Sequence, residues 1–247
     1  MNKKAVISGF SGQDGVYLAK LLLDKGYKVY GIMRRVSHDN TGFIKEWNVE
    51  DVEVLEGDLS DYTSLLNIIK TTQPDEFYNL ASQSHVGSSF LQPEYTADIS
   101  AMAVLRLLEI IRSYSPHTKF YSACSSEQFG DALEIPQNEN TPFRPRSPYA
   151  AAKVFAYNIV KVYRESYNLF AVCGILGNHE SPRRGERFVT KKITDWIGRY
   201  YNNKTQEPLK LGALTSKRDW GYAFDYVQAM YLMLQQSEPQ DFVIGTG

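Results

Sequence analysis

The sequence predicts an α/β fold with a doubly wound parallel sheet, and three observations support this prediction. Short apolar runs alternate with longer helix-like segments throughout residues 4–176. The first apolar run leads into a glycine-rich turn, and polar residues follow several of the later runs. This alternation is typical of a parallel sheet that carries helices on both faces.

The elements follow in order along the chain. Apolar runs predict strands at residues 4–8, 27–33, 52–55, 76–80, 119–123 and 170–176. Apolar residues at helical spacing predict helices between them, at about 14–25, 62–70, 98–113 and 148–167. Gly26 ends the first helix, because glycine readily adopts the left-handed conformation that follows many helices.

The alternation breaks down after residue 178. A charged stretch precedes a predicted helix at 188–202, a short strand near Leu209 and a helix near 225–235. The final D-F-V-I-G-T-G is a strand-like run that normally leads into another element, so we expect a truncated terminus. We predict a main sheet domain at 1–177 and a smaller, incomplete α/β cap at 178–247, interleaved with the sheet.

Composition excludes several classes of protein. The 247 residues are 43% hydrophobic and 22% charged, with a net charge of −1, which gives no general attraction to nucleic acid or anionic lipid. The first apolar run is too short for a signal peptide, and no run would span a bilayer. Cys124 and Cys173 lack metal-ligand or redox spacing, so we expect no metal and a reducing, cytoplasmic setting.

Three glycines at residues 9, 12 and 15 form G-F-S-G-Q-D-G between the first strand and the first helix. A dinucleotide site needs a sharp turn, close backbone approach to the pyrophosphate, and tight packing of the helix on the strand. Spaced glycines alone are a weak signal. Their place within a strand, loop, helix and second strand predicts a Rossmann nucleotide-binding domain.

The second strand is followed by Arg34 and Arg35, where NAD-binding versions usually have a carboxylate for the ribose hydroxyl. Two guanidinium groups suit a 2′-phosphate, which favours NADP. The alternative is a solvated basic pair. Asp58 could accept a bond from the adenine amine or cap the following helix, although Asp61 is the better candidate for the cap.

Tyr149 and Lys153 lie four residues apart at a helix start marked by proline, in S-P-Y-A-A-A-K. This spacing places both side chains on one helical face, where the ammonium is expected to lower the tyrosine pKa. Such a phenol can take a proton from an alcohol while a hydride leaves the same carbon. We interpret other pairs at this spacing as helix-surface pairs, Tyr157–Lys161 and Tyr200–Lys204.

The preceding strand runs into A-C-S-S-E-Q-F-G, residues 123–130. Ser125 can bond a substrate hydroxyl, and Glu127 supplies a carboxylate on the same stretch. Serines at strand ends are usually turn formers, and a lone glutamate is usually solvated. Glu127 is informative because a simple hydride-transfer enzyme or an epimerase needs no carboxylate base there.

Taken together, these segments resemble the GDP-mannose 4,6-dehydratase family, which is of the extended short-chain dehydrogenase/reductase type. The resemblance runs essentially from end to end and is most specific in N-H-E-S-P-R-R-G-E, residues 178–186. Matching segments also include G-F-S-G-Q-D-G (9–15), R-R (34–35), Q-P-D-E-F-Y-N-L-A-S-Q-S-H-V-G (73–87), P-E-Y-T-A-D (93–98), S-S-E (125–127), P-R-S-P-Y-A-A-A-K (145–153) and R-D-W-G (218–221).

The resemblance implies a bound NADP and a set of residues in contact with it. These are Gly9, Phe10, Ser11, Gly12, Gln13, Asp14, Arg34, Arg35, Val36, Ser37, Asp58, Leu59, Leu80, Ala81, Ser82, Gln83, Ser84, Tyr95, Tyr149, Lys153, His179 and Arg184. The sugar nucleotide would contact Ser84, Ser125, Glu127, Asn178, Lys192 and Arg218. Without the resemblance, His179 would be interpreted as a buried structural histidine, and Arg183–Arg184 as a solvated pair.

The resemblance also implies the reaction, which converts GDP-mannose to GDP-4-keto-6-deoxymannose with loss of water. Tyr149, assisted by Lys153 and Ser125, would take the O4 proton while hydride passes from C4 to NADP⁺. Glu127 would then remove the C5 proton and assist loss of water from C6, after which the hydride returns to C6. The family resemblance further suggests a homo-oligomer, a dimer or a tetramer. The loop at 36–52 is shorter than in the family, which leaves the assembly open.

Three alternatives remain at this point. One is a dehydratase of another nucleotide sugar, such as GDP-heptose. A second is a related epimerase or reductase, which is expected to lack a residue such as Glu127. The third is a non-catalytic NADP-binding protein, against which Ser125, Glu127, Tyr149 and Lys153 argue.

Overall fold

A computed structural model describes residues 2–37 and 40–246. The strands are β1 (Lys4–Ser8), β2 (Lys28–Met33), β3 (Glu53–Glu56), β4 (Glu76–Asn79), β5 (Lys119–Ser125), β6 (Ala171–Leu176), β7 (Asn178–Glu180), β8 (Trp220–Tyr222) and β9 (Phe242–Ile244). Within the described residues, seven of them form one parallel sheet in the order β3-β2-β1-β4-β5-β6-β9. The predicted doubly wound sheet is confirmed.

Helices connect these strands. They are α1 (Gln13–Asp24), α2 (Gly42–Glu46), α3 (Tyr62–Thr72), α4 (Val86–Leu91), α5 (Pro93–Ala97), α6 (Ala103–Tyr114), α7 (Pro148–Tyr167), α8 (Val189–Tyr201) and α9 (Ala223–Gln235). A π-helical turn at Asp98–Met102 joins α5 to α6, and a 3₁₀ turn follows β5 at Ser126–Gln128. No helix in the described part of the chain has both the length and the hydropathy needed to cross a bilayer.

Alternating side chains of the central strands divide the core into two layers. Phe77 and Phe120 face the layer under α3, α6 and α7, where their rings stack at 5.9 Å. The next residues, Tyr78 and Tyr121, face the layer under α1 and α9. Because successive side chains of a strand point to opposite faces, continuous apolar strands such as these must be covered on both sides.

Local signals set the helix boundaries. Gly26 has φ +79° just after α1, as its interpretation as a helix end requires. The Asp61 carboxylate accepts the backbone N–H groups of Thr63 and Ser64 at 3.0 and 3.1 Å, so the prediction that Asp61 caps α3 is confirmed. Ser147 caps α7 by accepting the Ala150 N–H at 3.1 Å.

The cap differs from the prediction in two places. The strand predicted near Leu209 is wrong, since those residues are irregular and the strand lies at β8 instead. With only three residues, W-G-Y, β8 is too short to give a periodic signal. Tyr200 and Lys204 do not share a helix face, because α8 ends at Tyr201.

Two later elements return to the main sheet. α9 packs on α1, and β9 pairs with β6 in the register Gly174↔Phe242. Between them, β7 and β8 form a separate parallel pair. This pair lies beside the carboxyl ends of the central strands, where a cavity opens.

Candidate functional site

A cavity of about 770 Å³ opens at the carboxyl ends of β1, β4, β5 and β6. It lies where connections leave β1 and β4 in opposite directions, the point at which doubly wound sheets bind ligands. The structure brings many of the predicted site residues to its walls. These are Gly9, Ser11, Gly12, Gln13, Asp14, Arg34, Asp58, Leu59, Leu80, Ala81, Ser82, Ser84, Tyr95, Ser125, Glu127, Tyr149, Lys153, Asn178, His179 and Arg184.

Other predicted residues lie outside the cavity lining. Phe10 is a core residue, fully buried and packed edge-on against Phe43 at 5.4 Å. Gln83 is held in its own loop by the Thr96 hydroxyl and the His85 backbone. The remaining side chains outside the lining are exposed at this ligand edge or on the cap: Arg35, Val36, Ser37, Lys192 and Arg218.

The glycine loop has the geometry of an anion cradle. Gly9 has φ +73°, and a side chain there would lie 2.8 Å from the Ala81 backbone nitrogen. A Cβ on Gly15 would overlap the Gly9 carbonyl, so only glycine allows α1 to pack so tightly on this turn. The α1 N-cap, Gly12, provides no side-chain cap for the helix start. These features fit a pyrophosphate bound at the N-terminus of α1.

Asp14 and His179 form a largely buried ion pair beside this loop, with side chains that are 22% and 11% exposed. His179 Nε2 lies 2.9 Å from the Asp14 carboxylate, and Nδ1 lies 2.8 Å from the Gly177 carbonyl. Burial is the largest single effect and opposes ionisation of both groups, but the charge attraction between them and their hydrogen bonds together outweigh it. The pKa of His179 is therefore raised and the pKa of Asp14 is lowered. This geometry agrees with a structural histidine that also borders the cavity.

Residues 179–183 contact the glycine loop at three further points. The Gln13 amide donates to the His179 carbonyl at 3.1 Å and accepts from the Ser181 hydroxyl at 2.8 Å. Arg183 Nη2 donates to the Ser11 carbonyl at 2.9 Å. The Arg183 guanidinium also lies over the Phe43 ring at 5.1 Å, so the solvated-pair interpretation is wrong for this residue.

Tyr149 and Lys153 are both almost fully buried, at 7% and 4% exposure. The Lys153 ammonium donates to the Ala123 carbonyl at 2.6 Å and lies 5.9 Å from the centre of the Tyr149 ring. Burial raises the pKa of Tyr149 to about 12, against the lowering effect of its hydrogen bond with Ser125. The predicted lowering of the tyrosine pKa is therefore wrong here, because the loss of hydration outweighs the lowering effects of the Ser125 hydrogen bond and the Arg184 charge.

Glu127 lies on the cavity wall in the 3₁₀ turn after β5. The turn is fixed by Ser125, whose hydroxyl accepts the Glu127 N–H at 3.3 Å, and by Gln128, whose side chain accepts the Ser125 N–H at 3.0 Å. The carboxylate is one-third exposed, at 33%, and Arg218 Nε lies 3.9 Å from Glu127 Oε1. Although Arg218 is not part of the lining, it faces Glu127 at the edge of the cavity.

The far end of the cavity is bordered by Arg34 and Asp58. Arg34 donates to the Tyr95 hydroxyl at 3.3 Å, which places a guanidinium directly after β2. The Asp58 carboxylate accepts the backbone N–H and the hydroxyl of Ser60 at 2.9 and 2.8 Å. Asp58 thus stabilises its own turn, while Asp61 caps α3.

Several lining residues were not predicted as site residues from the sequence, among them His85, Arg183, Arg187 and Phe188. The Arg184 guanidinium lies 3.6 Å from the centre of the Phe188 ring. Their signal in the sequence is their place in the two long matching segments, 73–87 and 178–186, or directly after the second. Among the described residues, no group of three His, Cys, Asp or Glu side chains is arranged to hold a metal ion.

The chain is similar to known proteins of one family over nearly its whole length. A family model for GDP-mannose 4,6 dehydratase matches residues 6–247. The GDP-mannose 4,6-dehydratase of Yersinia enterocolitica is 53% identical over 99% of this chain, and the human GDP-mannose 4,6 dehydratase is 53% identical over 98%. In each case the chain covers 68% of the relative.

Among solved structures, a UDP-N-acetylglucosamine 4-epimerase from Methanobrevibacter ruminantium M1, in complex with UDP-N-acetylmuramic acid, superimposes with a TM-score of 0.85. It is 26% identical, and the match covers 100% of this chain and 77% of the epimerase. The fold is therefore shared with nucleotide-sugar epimerases, while the family match is to the dehydratases. The chain belongs to the GDP-mannose 4,6-dehydratase family.

Proposed function

We propose that this protein is a lyase that removes water from GDP-mannose, giving GDP-4-keto-6-deoxymannose, with NADP as an internal hydride carrier. One observation carries the proposal. Ser125, Glu127, Tyr149 and Lys153 border the same cavity as the glycine loop. An alcohol oxidation needs the phenol, and an elimination needs the additional carboxylate. The names of the curated relatives agree with this chemistry.

The choice of NADP rests on the residues after β2. Arg34 borders the cavity and bonds Tyr95, and no carboxylate follows Met33 directly. A guanidinium at this position suits a 2′-phosphate, whereas a ribose hydroxyl is usually bound by a carboxylate. When bound, the nicotinamide would accept a hydride from C4 of the sugar and return it to C6.

Tyr149 is the proposed base for the O4 proton. Its phenol is neutral at pH 7, and burial raises its pKa further from the ordinary value, to about 12. A cationic group bound beside the phenol would lower this pKa and favour proton acceptance. Ser125 already bonds the phenol and lowers its pKa. Lys153, fixed on the Ala123 carbonyl, adds a positive charge on the same helical face.

Glu127 is the proposed base for elimination. A ketone at C4 acidifies the C5 proton, so a carboxylate near the sugar can remove it, and the resulting acid can protonate the leaving C6 hydroxyl. The 3₁₀ turn directs this carboxylate to the same cavity as Tyr149. The turn's hydrogen bonds with Ser125 and Gln128 limit its movement. A fixed position favours proton transfer in both directions.

The test replaces Glu127 by Gln, which keeps the shape of the side chain and removes the base. We expect the rate of water loss from GDP-mannose to fall about 10²- to 10⁴-fold, the usual contribution of a general base. Mass spectrometry measures the dehydrated product, and fluorescence titration measures cofactor affinity. Glu165→Gln, an exposed carboxylate on α7 that pairs with Lys161, is the matched control and should behave as wild type.

The same assay separates the alternatives. Runs with NADP⁺ and with NAD⁺ measure the cofactor preference, and runs with GDP-mannose and GDP-heptose measure the sugar preference. An isomer of unchanged mass would identify an epimerase. Wild-type protein that binds NADP⁺ but alters none of the sugars would contradict the lyase assignment and support a binding protein.

We further propose that the protein acts in the cytoplasm as a homo-oligomer, a dimer or a tetramer. Within the described residues Cys124 and Cys173 are buried free thiols, which suits a reducing compartment. The proposed assembly is supported by large apolar side chains that are exposed, including Phe90 and Leu91 on α4 and Phe155 and Val162 on α7. Light scattering of the purified protein measures the oligomeric state.

A further inference from the structure

The carboxylate of Asp219 lies where three segments meet, just before β8. It accepts the hydroxyl of Tyr226, in the first turn of α9, at 3.1 Å. It also accepts the backbone N–H of Thr246, after β9, at 3.1 and 3.2 Å, and the Thr246 hydroxyl. One side chain thus joins the segment before β8 to α9 and to the end of the main sheet.

Two glycines make room for this carboxylate. A Cβ on Gly177, directly after β6, would overlap Asp219 Oδ2, and a Cβ on Gly245 would lie 3.0 Å from the same atom. The backbone of Gly177 also borders the cavity and donates its N–H to the Ile244 carbonyl at 2.8 Å. The sheet edge next to the cavity is therefore built closely around Asp219.

Tyr226 also contacts His179, on the side of the cavity where the cofactor is proposed to bind. Its ring is 2% exposed and stacks on His179 with centroids 4.4 Å apart and planes at 21°. A side chain at Gly221 would overlap the same ring. The Tyr226 hydroxyl therefore faces Asp219, while its ring supports the His179–Asp14 pair.

Arg218, the residue before Asp219, faces the catalytic wall. Its Nε lies 3.9 Å from Glu127 Oε1, and its side chain is about half exposed, at 47%. Because Arg218 itself is so exposed, its own contacts restrict it little: one hydrogen bond joins its Nη1 to the Lys217 carbonyl at 2.7 Å. The backbone that carries Arg218 is instead held by the next residue, through the carboxylate of Asp219.

We propose that Asp219 is a positioning residue that holds Arg218 opposite Glu127 for binding of the sugar nucleotide. This inference rests on the proposed function for its substrate. Arg218 presents a cation at the edge of the cavity, where it suits a diphosphate. Asp219 does not line the cavity and acts through Arg218, and the Tyr226 hydroxyl assists it.

The test measures steady-state kinetics of Asp219→Asn with GDP-mannose. Loss of the charged acceptor should raise KM about tenfold, the typical consequence of losing a hydrogen bond to a charged group, while kcat falls less than threefold. Tyr226→Phe removes one donor and leaves those of Thr246, so KM should rise two- to threefold. Asp225→Asn, an exposed carboxylate in the same turn of α9, is the matched control and should leave KM unchanged.

A double-mutant cycle identifies the route of the effect. If Asp219 acts through Arg218, then Asp219→Asn should add little to the KM of Arg218→Met, because coupled residues are not additive. Additive increases in KM, or equal losses in kcat and in NADP⁺ affinity, would contradict the positioning role.

Hydrogen exchange tests the same inference without turnover. Asp219→Asn should speed amide exchange in residues 217–222 and at Thr246, and leave α7 unchanged. Unchanged exchange in 217–222 would overturn the inference even if the protein proves to be a dehydratase. Faster exchange in a protein that dehydrates no nucleotide sugar would instead support the holding role of Asp219 and contradict only the proposed function.

Discussion

Two carboxylates, the partly buried Asp14 and the buried Glu76, lie at opposite ends of the parallel sheet and have different kinds of partner. Asp14, at the carboxyl ends of the strands, pairs with His179 beside the cavity. Glu76, which begins β4 at the other end, accepts the hydroxyls of Tyr27 and Tyr78 at 3.0 and 2.8 Å. It also accepts the Gln235 amide and the Lys3 ammonium, at 3.1 and 3.3 Å.

Glu76 therefore stabilises the fold, whereas Asp14 belongs to the candidate functional site. The phenols around Glu76 are neutral near pH 7, and burial first and the Glu76 charge second raise the pKa of both Tyr27 and Tyr78 further. This cluster joins the start of β2 to β4 and α9, and its two phenols stay protonated near pH 7. The Asp14–His179 pair joins the glycine loop to β7, and it contains a histidine whose pKa is raised above its ordinary value of 6.5.

The largest effect on stability is expected from Glu76→Ala. It leaves two buried phenols without an acceptor and creates a cavity, so the free energy of unfolding should fall by about 3 to 5 kcal/mol. Urea denaturation followed by circular dichroism measures it. Glu53→Ala removes an exposed carboxylate that pairs with Lys28 and should change stability by less than about 1 kcal/mol. A similar loss in both variants would contradict the structural role of Glu76.

An intermediate and pH-dependent effect is expected from His179→Gln. The raised pKa of His179 gives stability that is complete below its ordinary value of 6.5 and is lost as pH rises through the folded value. The lowered pKa of Asp14 gives stability present above 3.8 and lost as pH falls through its folded value. The free energy of unfolding of the wild type should therefore exceed that of the variant most between about pH 4 and 6.5, by about 2 kcal/mol.

Thermal denaturation across pH 4 to 9 measures this difference. It should shrink at alkaline pH, where the imidazole loses its charge. A difference that stays constant across the range would mean that the stack on Tyr226, and not the ion pair, is what His179 contributes.

The smallest effect is expected from Tyr27→Phe. It removes one hydrogen bond to Glu76, whose remaining donors keep the carboxylate satisfied, so stability should fall by about 1 kcal/mol. Unlike His179→Gln, it should show no pH dependence between pH 5 and 8. The same denaturation series measures both variants, and a pH-dependent loss in Tyr27→Phe would remove the distinction between the two clusters.

The sequence predicted the elements with strong local signals. The six strands of the main alternation and α7, at residues 148–167, were found because continuous apolar runs and helical spacing are visible in single segments. The sequence did not predict β7 or β8, since each has three residues and forms only by pairing with the other. The Asp14–His179 pair also could not be predicted from the sequence, because its two residues are separated by most of the chain.

Among the candidate site residues, the sequence predicted best those whose location follows directly from the order of strands and helices. The glycine loop and Tyr149–Lys153 follow from strand ends that meet at one edge of a parallel sheet. The pKa of Tyr149 was predicted in the wrong direction, because the spacing of Tyr149 and Lys153 gives their shared face but not their burial. Lys192, on α8, and Arg218, in the irregular segment before β8, lie outside the cavity lining, because the placement of cap residues depends on long-range packing that local sequence patterns do not show.

The π-helical turn at Asp98–Met102 determines which residues of this helical segment face the cavity wall. An α-helix rotates by about 100° per residue, and a π turn accommodates one extra residue. Tyr95 before the turn can therefore meet Arg34 while Ser100 within it bonds Ser82 at 2.7 Å. A chain one residue shorter here would keep an unbroken helix, but it would rotate Tyr95 away from the guanidinium after β2. An insertion or deletion in this helix would therefore disturb the contacts of Tyr95 and Ser100 at the cavity wall, even if the helix itself could accommodate it.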